Sequence, residues 1–323
     1  MFLKTPILLI TFNRPEHVEH VLEAVGAVSP TEIFIFQDGP RNDNDILLCA
    51  EVRTVIDKMV SWPCNKHTYY SENNLGCGNG PATAITWFFN HVESGIILED
   101  DCIPSRDFFF YCEELLSKYE NNERIGFIGG CNYGYRFLNA STYSFCSGHQ
   151  ETWGWATWRR SWNFFDYRLS SINKTIFRHT LNNYFKSFKQ REYWWDIFLK
   201  VKKDRLNDSC WDYQFYFSMW IKGMLAICPN SNLVTNMGFG DNATHTHDQD
   251  NQLLSRPTES MPQIVHPPYI EYDYNIDNYL MRNYIIPYEY GISGLKRIPF
   301  RINRLIKRLV GHEGPWFKYN SGC

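Results

Sequence analysis

The sequence has no apolar run approaching the ~20 residues that a bilayer-spanning helix needs, so no segment reads as a membrane span. Nor does it open like a secretory leader. MFLKTPILLITFNRP breaks its short apolar run at Thr11 and Asn13 and offers no small-residue cleavage site. The ten cysteines include no C-x-x-C pair and no compact framework. That leaves no paired ligand spacing for zinc and suits free thiols in a reducing cytosol. Charge of one sign is not in excess either: 32 Lys and Arg against 35 Asp and Glu leave −3, so no overall basic field points to nucleic acid. Internal repeats and low-complexity tracts are missing too. What remains is 323 residues, 44% hydrophobic and 21% charged, which is the composition of a folded chain with ample core. Aromatic residues reach 17% (23 Phe, 20 Tyr, 11 Trp). Such an excess suits stacking surfaces for sugars or bases, or else a dense aromatic core.

Hydrophobic periodicity divides the first hundred residues into strand and helix units. Residues 6–10 (PILLI) read as a buried strand, 15–25 as a helix with Pro15 in its first turn, and 32–36 (EIFIF) as a second strand. Residues 67–70 form a third strand, 82–92 a helix and 95–98 a fourth strand. Repetition of this kind predicts an α/β fold with a Rossmann-like, mostly parallel sheet flanked by helices. Ligands bind such sheets outside the carboxyl ends of the strands. The polar clusters 11–14, 37–39 and 99–101 all fall at such ends. Beyond residue 105 the pattern predicts a helix over 108–119, a strand over 125–128, a helix over 212–222 and a strand over 224–228. An extended segment lying over the body is expected around 249–290.

Glu99-Asp100-Asp101 follows an apolar strand directly. Three adjacent acids repel one another unless a positive group sits among them. A hard divalent cation, Mn²⁺ or Mg²⁺, binds one or two carboxylates together with phosphate oxygens and would serve. The alternative is a solvated acidic cluster ahead of a helix, since Ser105 and Asp107 also precede one.

The run ILEDDCIPSRDFFFYCEELL resembles the metal-binding stretch of GT-A glycosyltransferases. It is similar to the EDD form of their DXD motif in the eukaryotic N-acetylglucosaminyltransferase that begins hybrid N-glycans. It also resembles bacterial family 2-like transferases, some of them described as hemolysin-like. PILLITFNRPEHVEHVLEA, FIFQDGPR, ENNLGCGNGPATAI, WGWATWRRSW and the stretch WDYQFYFSMW to NATHT extend the likeness over roughly residues 5–250.

The resemblance implies a GT-A fold with a nucleotide-sugar-binding half (1–105), an acceptor-binding and catalytic half (106–250), and a tail (251–323). It implies a nucleotide-diphosphosugar donor, UDP-hexose or UDP-N-acetylhexosamine, and a glycan or lipid-linked acceptor. Matched by position, Thr11, Phe12, Asn13 and Arg14 line the nucleotide, and Asp38 reads base or ribose. Asn74 and Gly76 lie in a turn near the diphosphate. Asp101 is the direct metal ligand, while Glu99 and Asp100 contact sugar and ribose. His245 supplies a further metal or diphosphate contact. Asp212, eleven residues before Gly223, stands where inverting members keep the general base. Trp211 departs from the acid expected before it, and Tyr213 stands where the eukaryotic relative has a second acid. A helix cap is the other reading of Asp212, and Glu151 is the reserve base. Residues 153–158 read as a loop leading into a helix, in which Trp153 and Trp155 could stack an acceptor sugar, while Trp158 and Trp162 read equally as a Trp-rich helix start plugged into the core.

Residues 296–310 (KRIPFRINRLIKRLV) carry six basic residues, no acid and one apolar helical face. They read either as a surface anchor on an anionic membrane or as a packed terminal helix with a solvated face. The expectation that results is a cytoplasmic, inverting, metal-dependent transferase of surface polysaccharide synthesis, peripheral on the inner leaflet. A sugar nucleotidyltransferase and a non-enzymatic carbohydrate-binding or hemolysin-like membrane protein are the competing readings.

Overall fold

The computed structural model describes residues 2–136, 141–148, 152–203, 209–238 and 256–285. Its first part alternates β1 (Ile7–Thr11), α1 (Pro15–Gly26), β2 (Glu32–Gln37), α2 (Asp43–Met59), β3 (Asn65–Tyr70), α3 (Gly76–Phe89) and β4 (Ser94–Glu99). There follow β5 (Cys102–Pro104), α4 (Arg106–Lys118), β6 (Ile125–Gly129), β7 (Tyr143–Cys146), β8 (Trp155–Trp158) and α5 (Arg159–Trp162). Then come α6 (Lys174–Tyr184), α7 (Phe188–Val201), α8 (Asp212–Ile221), β9 (Leu225–Pro229) and β10 (Val234–Asn236). The described chain closes with α9 (Tyr274–Leu280) and a π-helical turn, Met281–Ile285.

Eight strands form one sheet in the order β3-β2-β1-β4-β8-β6-β9-β7. β1 to β4 are parallel, β8 runs antiparallel between β4 and β6, β9 is parallel to β6, and β7 is antiparallel at the edge. Six of the eight strands therefore point one way, as the sequence periodicity predicts. β1, β6 and β9 are buried along their whole length, which is why they read as unbroken apolar runs. Edge strand β3 (NKHTYY) is polar and exposed. After β1 the chain steps outward to β2 and β3, then returns on the other side of β1 as β4. The crevice of this sheet therefore opens where β1 and β4 end.

Several elements differ from the sequence expectation. α2 was not foreseen; its low overall hydrophobicity hides Cys49, Val52 and Ile56, which face the core. α3 begins at Gly76 rather than Ala82, so most of the glycine-rich stretch is helix, with Pro81 inside it. A Cβ on Gly80 would come to 3.4 Å from Asp38 Oδ2, so the small residues let this helix lie close against the end of β2. WGWATW was expected as a loop leading into a helix, yet its second half is β8, a central strand. Trp155, Trp194 and Trp220 are fully buried. The aromatic excess thus builds mainly core.

Gly95 on β4 leaves room for the ring of Phe88. A Cβ there would lie 2.3 Å from Phe88 Cζ and 2.9 Å from the Pro6 carbonyl. Phe88 is fully buried and cannot step aside. Gly95→Ala is expected to cost about 1–3 kcal/mol in denaturant unfolding, the usual penalty for overpacking; an unchanged midpoint would refute this packing. Residues 256–273 run over the body without helix, as expected, whereas residues 274–285, expected to be extended as well, form α9 and the π-helical turn. Tyr272 bridges to Phe145 on edge strand β7, and buried Asp277 accepts from the Ser147 hydroxyl (2.7 Å) and the Tyr272 hydroxyl (2.6 Å). Covering β7 in this way blunts an exposed sheet edge. The basic stretch 296–310 lies outside the described residues. Among the described residues no helix is long and apolar enough to cross a membrane.

Candidate active site

β4 delivers Glu99 at its end, and the turn into β5 carries Asp100 and Asp101. The loop after the adjacent β1 comes down on them. The Phe12 amide donates to Asp100 Oδ2 (3.3 Å), and the Arg14 guanidinium reaches Asp101 Oδ2 (3.2 Å) and Asp100 Oδ1. The positive group that the acids require is therefore, in part, Arg14. Burial works against that guanidinium's charge, but Asp100 and Asp101 more than offset it and hold it charged. One cation does not balance three acids. Burial, and then the charges of Asp101 and Asp100, push the Glu99 carboxyl up to about 8. Burial also lifts Asp100 to about 6 despite Arg14.

Asp101 is gripped from a second direction by elements that no local sequence pattern predicts. β10 pairs antiparallel with β5, which brings Asn236 Nδ2 to 3.3 Å from Asp101 Oδ1 and the Met237 amide to 2.8 Å from the Asp101 carbonyl. The Cys102 thiol donates to the same Oδ1 (3.3 Å). A Cβ on Gly238 would lie 2.4 Å from Asp101 Oδ2, so the backbone closes over this carboxylate only because residue 238 has none. Among the described residues, no group of three or more His, Cys, Asp or Glu side chains is arranged to hold a metal ion by itself. The hard carboxylate oxygens of Asp100 and Asp101 are the donor type that suits Mn²⁺ or Mg²⁺. Such an ion takes one or two carboxylates and completes its shell with phosphate oxygens and water.

The remaining strand-end residues are largely committed to one another. Thr11 is buried and its hydroxyl donates to the Phe36 carbonyl (3.0 Å), which corrects the expectation that its side chain lines a nucleotide. Asn13 donates to Asp45 (2.6 Å), which is also held by Arg41 (2.7 Å); Arg41 in turn covers the Phe12 ring at 4.9 Å. Asp38 accepts from the amides of Gly39 (2.9 Å), Leu75 (2.8 Å) and Gly76 (3.0 Å) and from Asn74 Nδ2 (3.1 Å). Burial pushes its carboxyl up, while those amides pull the other way. In this geometry Asp38 ties the start of α3 to the end of β2, and Asn74 and Gly76 complete the knot.

Asp212 opens α8 and turns that end of the helix toward the acids. Its carboxylate accepts from its own amide and from that of Tyr213. Burial raises it to about 6, and its charge contributes to the upward push on Glu99. Trp211, just before it, stacks on Trp155 at 5.7 Å with an interplanar angle of 27°. Trp155 is fully buried, so it cannot offer a face to an acceptor; that expectation is corrected because residues 155–158 form a central strand. Trp153 lies two residues before β8, beyond the end of the sheet, and stays partly exposed. It lines a small cleft with Cys131, Asn132, Tyr133, Asn232 and Arg256. Glu151 and His245 lie outside the described residues.

Arg41, Asp45, Asn236, Gly238 and Arg256 are the site residues that sequence reasoning missed. Arg41 and Asp45 flank the predicted 37–39 cluster and were within reach of it. The other three come close only through β10 and the returning segment.

No family model matches the chain, and no curated protein matches it. Among solved structures, HddC from Yersinia pseudotuberculosis is similar at 11% identity over 49% of this chain and 78% of that one, with a TM-score of 0.31. The 4-diphosphocytidyl-2C-methyl-D-erythritolsynthase from Anaerococcus prevotii DSM 20548 is similar at 11% identity over 60% and 84%, with a TM-score of 0.33. Likeness this distant carries no argument about activity, and the fold of this chain rests on its own strand order.

Proposed function

We propose that the protein is a metal-dependent glycosyltransferase that moves a sugar from a nucleotide-diphosphate donor, of the UDP-hexose or UDP-N-acetylhexosamine kind, to an acceptor hydroxyl. One observation supports this reading: the acids stand at the end of β4, where the crevice between β1 and β4 opens, and Asp212 at the start of α8 is near enough for its charge to push up Glu99. Asp101, with Asp100 beside it, would hold Mn²⁺ or Mg²⁺. When bound, the ion offsets charge on a departing diphosphate. Arg14 offsets part of the charge of Asp100 and Asp101 and keeps a cation beside the phosphates. Glu99 and Asp100 face the sugar and ribose. Asp212 takes the proton as the acceptor oxygen attacks the anomeric carbon from the face opposite the diphosphate; the new C–O bond forms as the bond to the nucleoside diphosphate breaks, and this single displacement inverts the sugar carbon. The acceptor is a glycan or a lipid-linked oligosaccharide of a surface polysaccharide.

Calorimetry of UDP with and without Mn²⁺ tests the donor half of this reading. Metal-dependent affinity is expected. Binding that ignores Mn²⁺, or no binding, would favour a carbohydrate-binding or hemolysin-like protein. A sugar nucleotidyltransferase would release pyrophosphate from a nucleoside triphosphate and a sugar 1-phosphate, and the same preparation can be assayed for that. The loop after β1, Thr-Phe-Asn-Arg-Pro, lacks the glycine-rich form suited to a triphosphate, which ranks this reading second. We place the protein on the inner face of the cell membrane through residues 296–310. Replacing Arg297, Arg301, Arg304 and Arg308 together with Gln is expected to abolish sedimentation with anionic vesicles. Full retention would show that the tail is no anchor.

A further inference from the structure

α6 and α7 fold back on each other, with Phe177 stacked on Phe198 at 4.0 Å, and residues 185–187 join them. The turn is held from inside. Phe185 is buried against Trp194 (6.0 Å, 27°), and the Arg191 guanidinium donates to the carbonyls of Phe185 (2.6 Å) and Lys186 (2.8 Å). Yet Phe188, the first residue of α7, stands 60% exposed. Tyr274, the first residue of α9, is 38% exposed. Lys186 Nζ sits 3.7 Å from the centre of the Tyr274 ring, and Gln190 Nε2 donates to Asn278 Oδ1 (3.1 Å), so the starts of α7 and α9 lie side by side. Two aromatic side chains at one corner of a well-tied turn therefore face water.

The charge around them is one-sided. Residues 168–203 carry nine Lys and Arg against two acids, in a chain whose overall charge is −3. Both acids are engaged: Glu192 is buried with Arg178 3.6 Å away, and Asp196 meets Lys200 at 3.2 Å. Lys186 and Lys189 are exposed and, among the described residues, form no ion pair. Asp273, next to Tyr274, caps α9 by accepting from the Asn275 amide (3.0 Å). Exposed rings beside ammonium groups on flexible stems suit a boundary that is apolar within and negative at its surface. The rings enter it while the lysines keep their heads at the charged layer.

We propose that this corner, Phe188 and Tyr274 with Lys186 and Lys189, is a docking surface for an anionic lipid membrane, separate from the anchor placed on residues 296–310. It does not rest on glycosyl transfer. The excess of cations selects anionic over neutral lipid, and the exposed rings supply the apolar contact that charge alone lacks. The course of the chain agrees. From Ile285, where the π-helical turn beside α9 ends, Lys296 is eleven residues on, about 40 Å at full extension, so corner and tail can rest on one surface. Stable peripheral attachment takes two such signals, because the second engages at the effective concentration set by the first.

The test uses the full chain with vesicles of phosphatidylcholine alone and of phosphatidylcholine mixed with phosphatidylglycerol, read by sedimentation and by hydrogen exchange of the 185–189 amides. The parent is expected to bind the mixed vesicles only, and those amides to exchange more slowly when it does. Lys186→Gln, Phe188→Ser and Lys189→Gln combined are expected to weaken that binding roughly tenfold or more and to erase the slowing. All three side chains are exposed, so melting and UDP–Mn²⁺ affinity are expected to stay as in the parent. Parental vesicle affinity of this variant, unchanged 185–189 exchange in the vesicle-bound parent, or equal binding to neutral vesicles overturns the proposal. The variant with Gln at the four tail arginines keeps the two membrane contacts apart: if it alone loses vesicle binding, the corner is refuted and the tail stands.

Discussion

Asp101→Ala is expected to reduce sugar transfer and donor hydrolysis by about 10³-fold or more in the presence of Mn²⁺, as loss of charge stabilisation on a leaving group does. The carboxylate is held on four sides, by Arg14, Asn236, Cys102 and the Gly238 backbone, so its place among the acids is fixed. The same change frees Arg14 to pair with Asp100 alone. The fold itself has little to lose, because the helix-capping and core contacts nearby belong to Ser105 and Cys102. A folded Asp101→Ala protein with parental activity would end the metal assignment. Arg14→Gln is the companion variant. Without the competing guanidinium, Mn²⁺ in the absence of nucleotide is expected to bind several-fold tighter, which electron paramagnetic resonance reads directly; weaker binding would show instead that Arg14 assembles the acids for the ion.

Asp212→Asn is expected to lower kcat by about 10²–10⁴-fold, the usual worth of a positioned base. In the parent, burial puts this carboxyl at about 6, so transfer should fall about tenfold per pH unit below 6 as the base becomes protonated. The stability effect has the opposite sign. A carboxyl whose folded pKa is raised binds more protons folded than unfolded between about 4 and 6, so stability declines as pH rises through that window. At pH 7 the ionised Asp212 is therefore a liability that asparagine removes. The variant should melt a few °C higher at pH 7 and lose that advantage near pH 4. If Asp212 were only a helix cap, melting would drop at pH 7 and kcat would hold. The two outcomes cannot be confused.

Local pattern sufficed for the parts of this protein whose physics is local. β1, β2 and β4 carry apolar runs that end in polar residues, and β6 and β9 are short apolar runs of the kind a parallel sheet buries on both faces. Pro15 and Ser105 mark helix starts by their own chemistry. The acids 99–101 are visible because three charges after a buried strand demand a partner. α2 was missed because its core contacts, Cys49, Val52 and Ile56, are diluted by charged neighbours. The glycine-rich stretch at 76–80 looked like a turn because its helix formation depends on a tertiary contact, the close fit against Asp38. WGWATW looked like a loop because a buried strand of four residues is too short to show a period, and β8 is specified by pairing with β4 and β6, which are distant in sequence.

Composition and periodicity alone thus settled a helix-flanked sheet and the strand ends where its chemistry gathers, since burial of apolar strands and repulsion among adjacent acids act over a few residues. Tertiary structure decided which side chains are spent and which are available. Trp155 went to the core and Trp153 to a cleft, Thr11 and Asp38 to holding the backbone, Arg14 to the acids, and Asn236, Gly238 and Arg256 to their places beside the site. Those assignments depend on contacts that reach from 25 residues (Thr11 to Phe36) to 135 (Asn236 to Asp101), and hydrogen bonds of that reach leave no periodic trace along the chain.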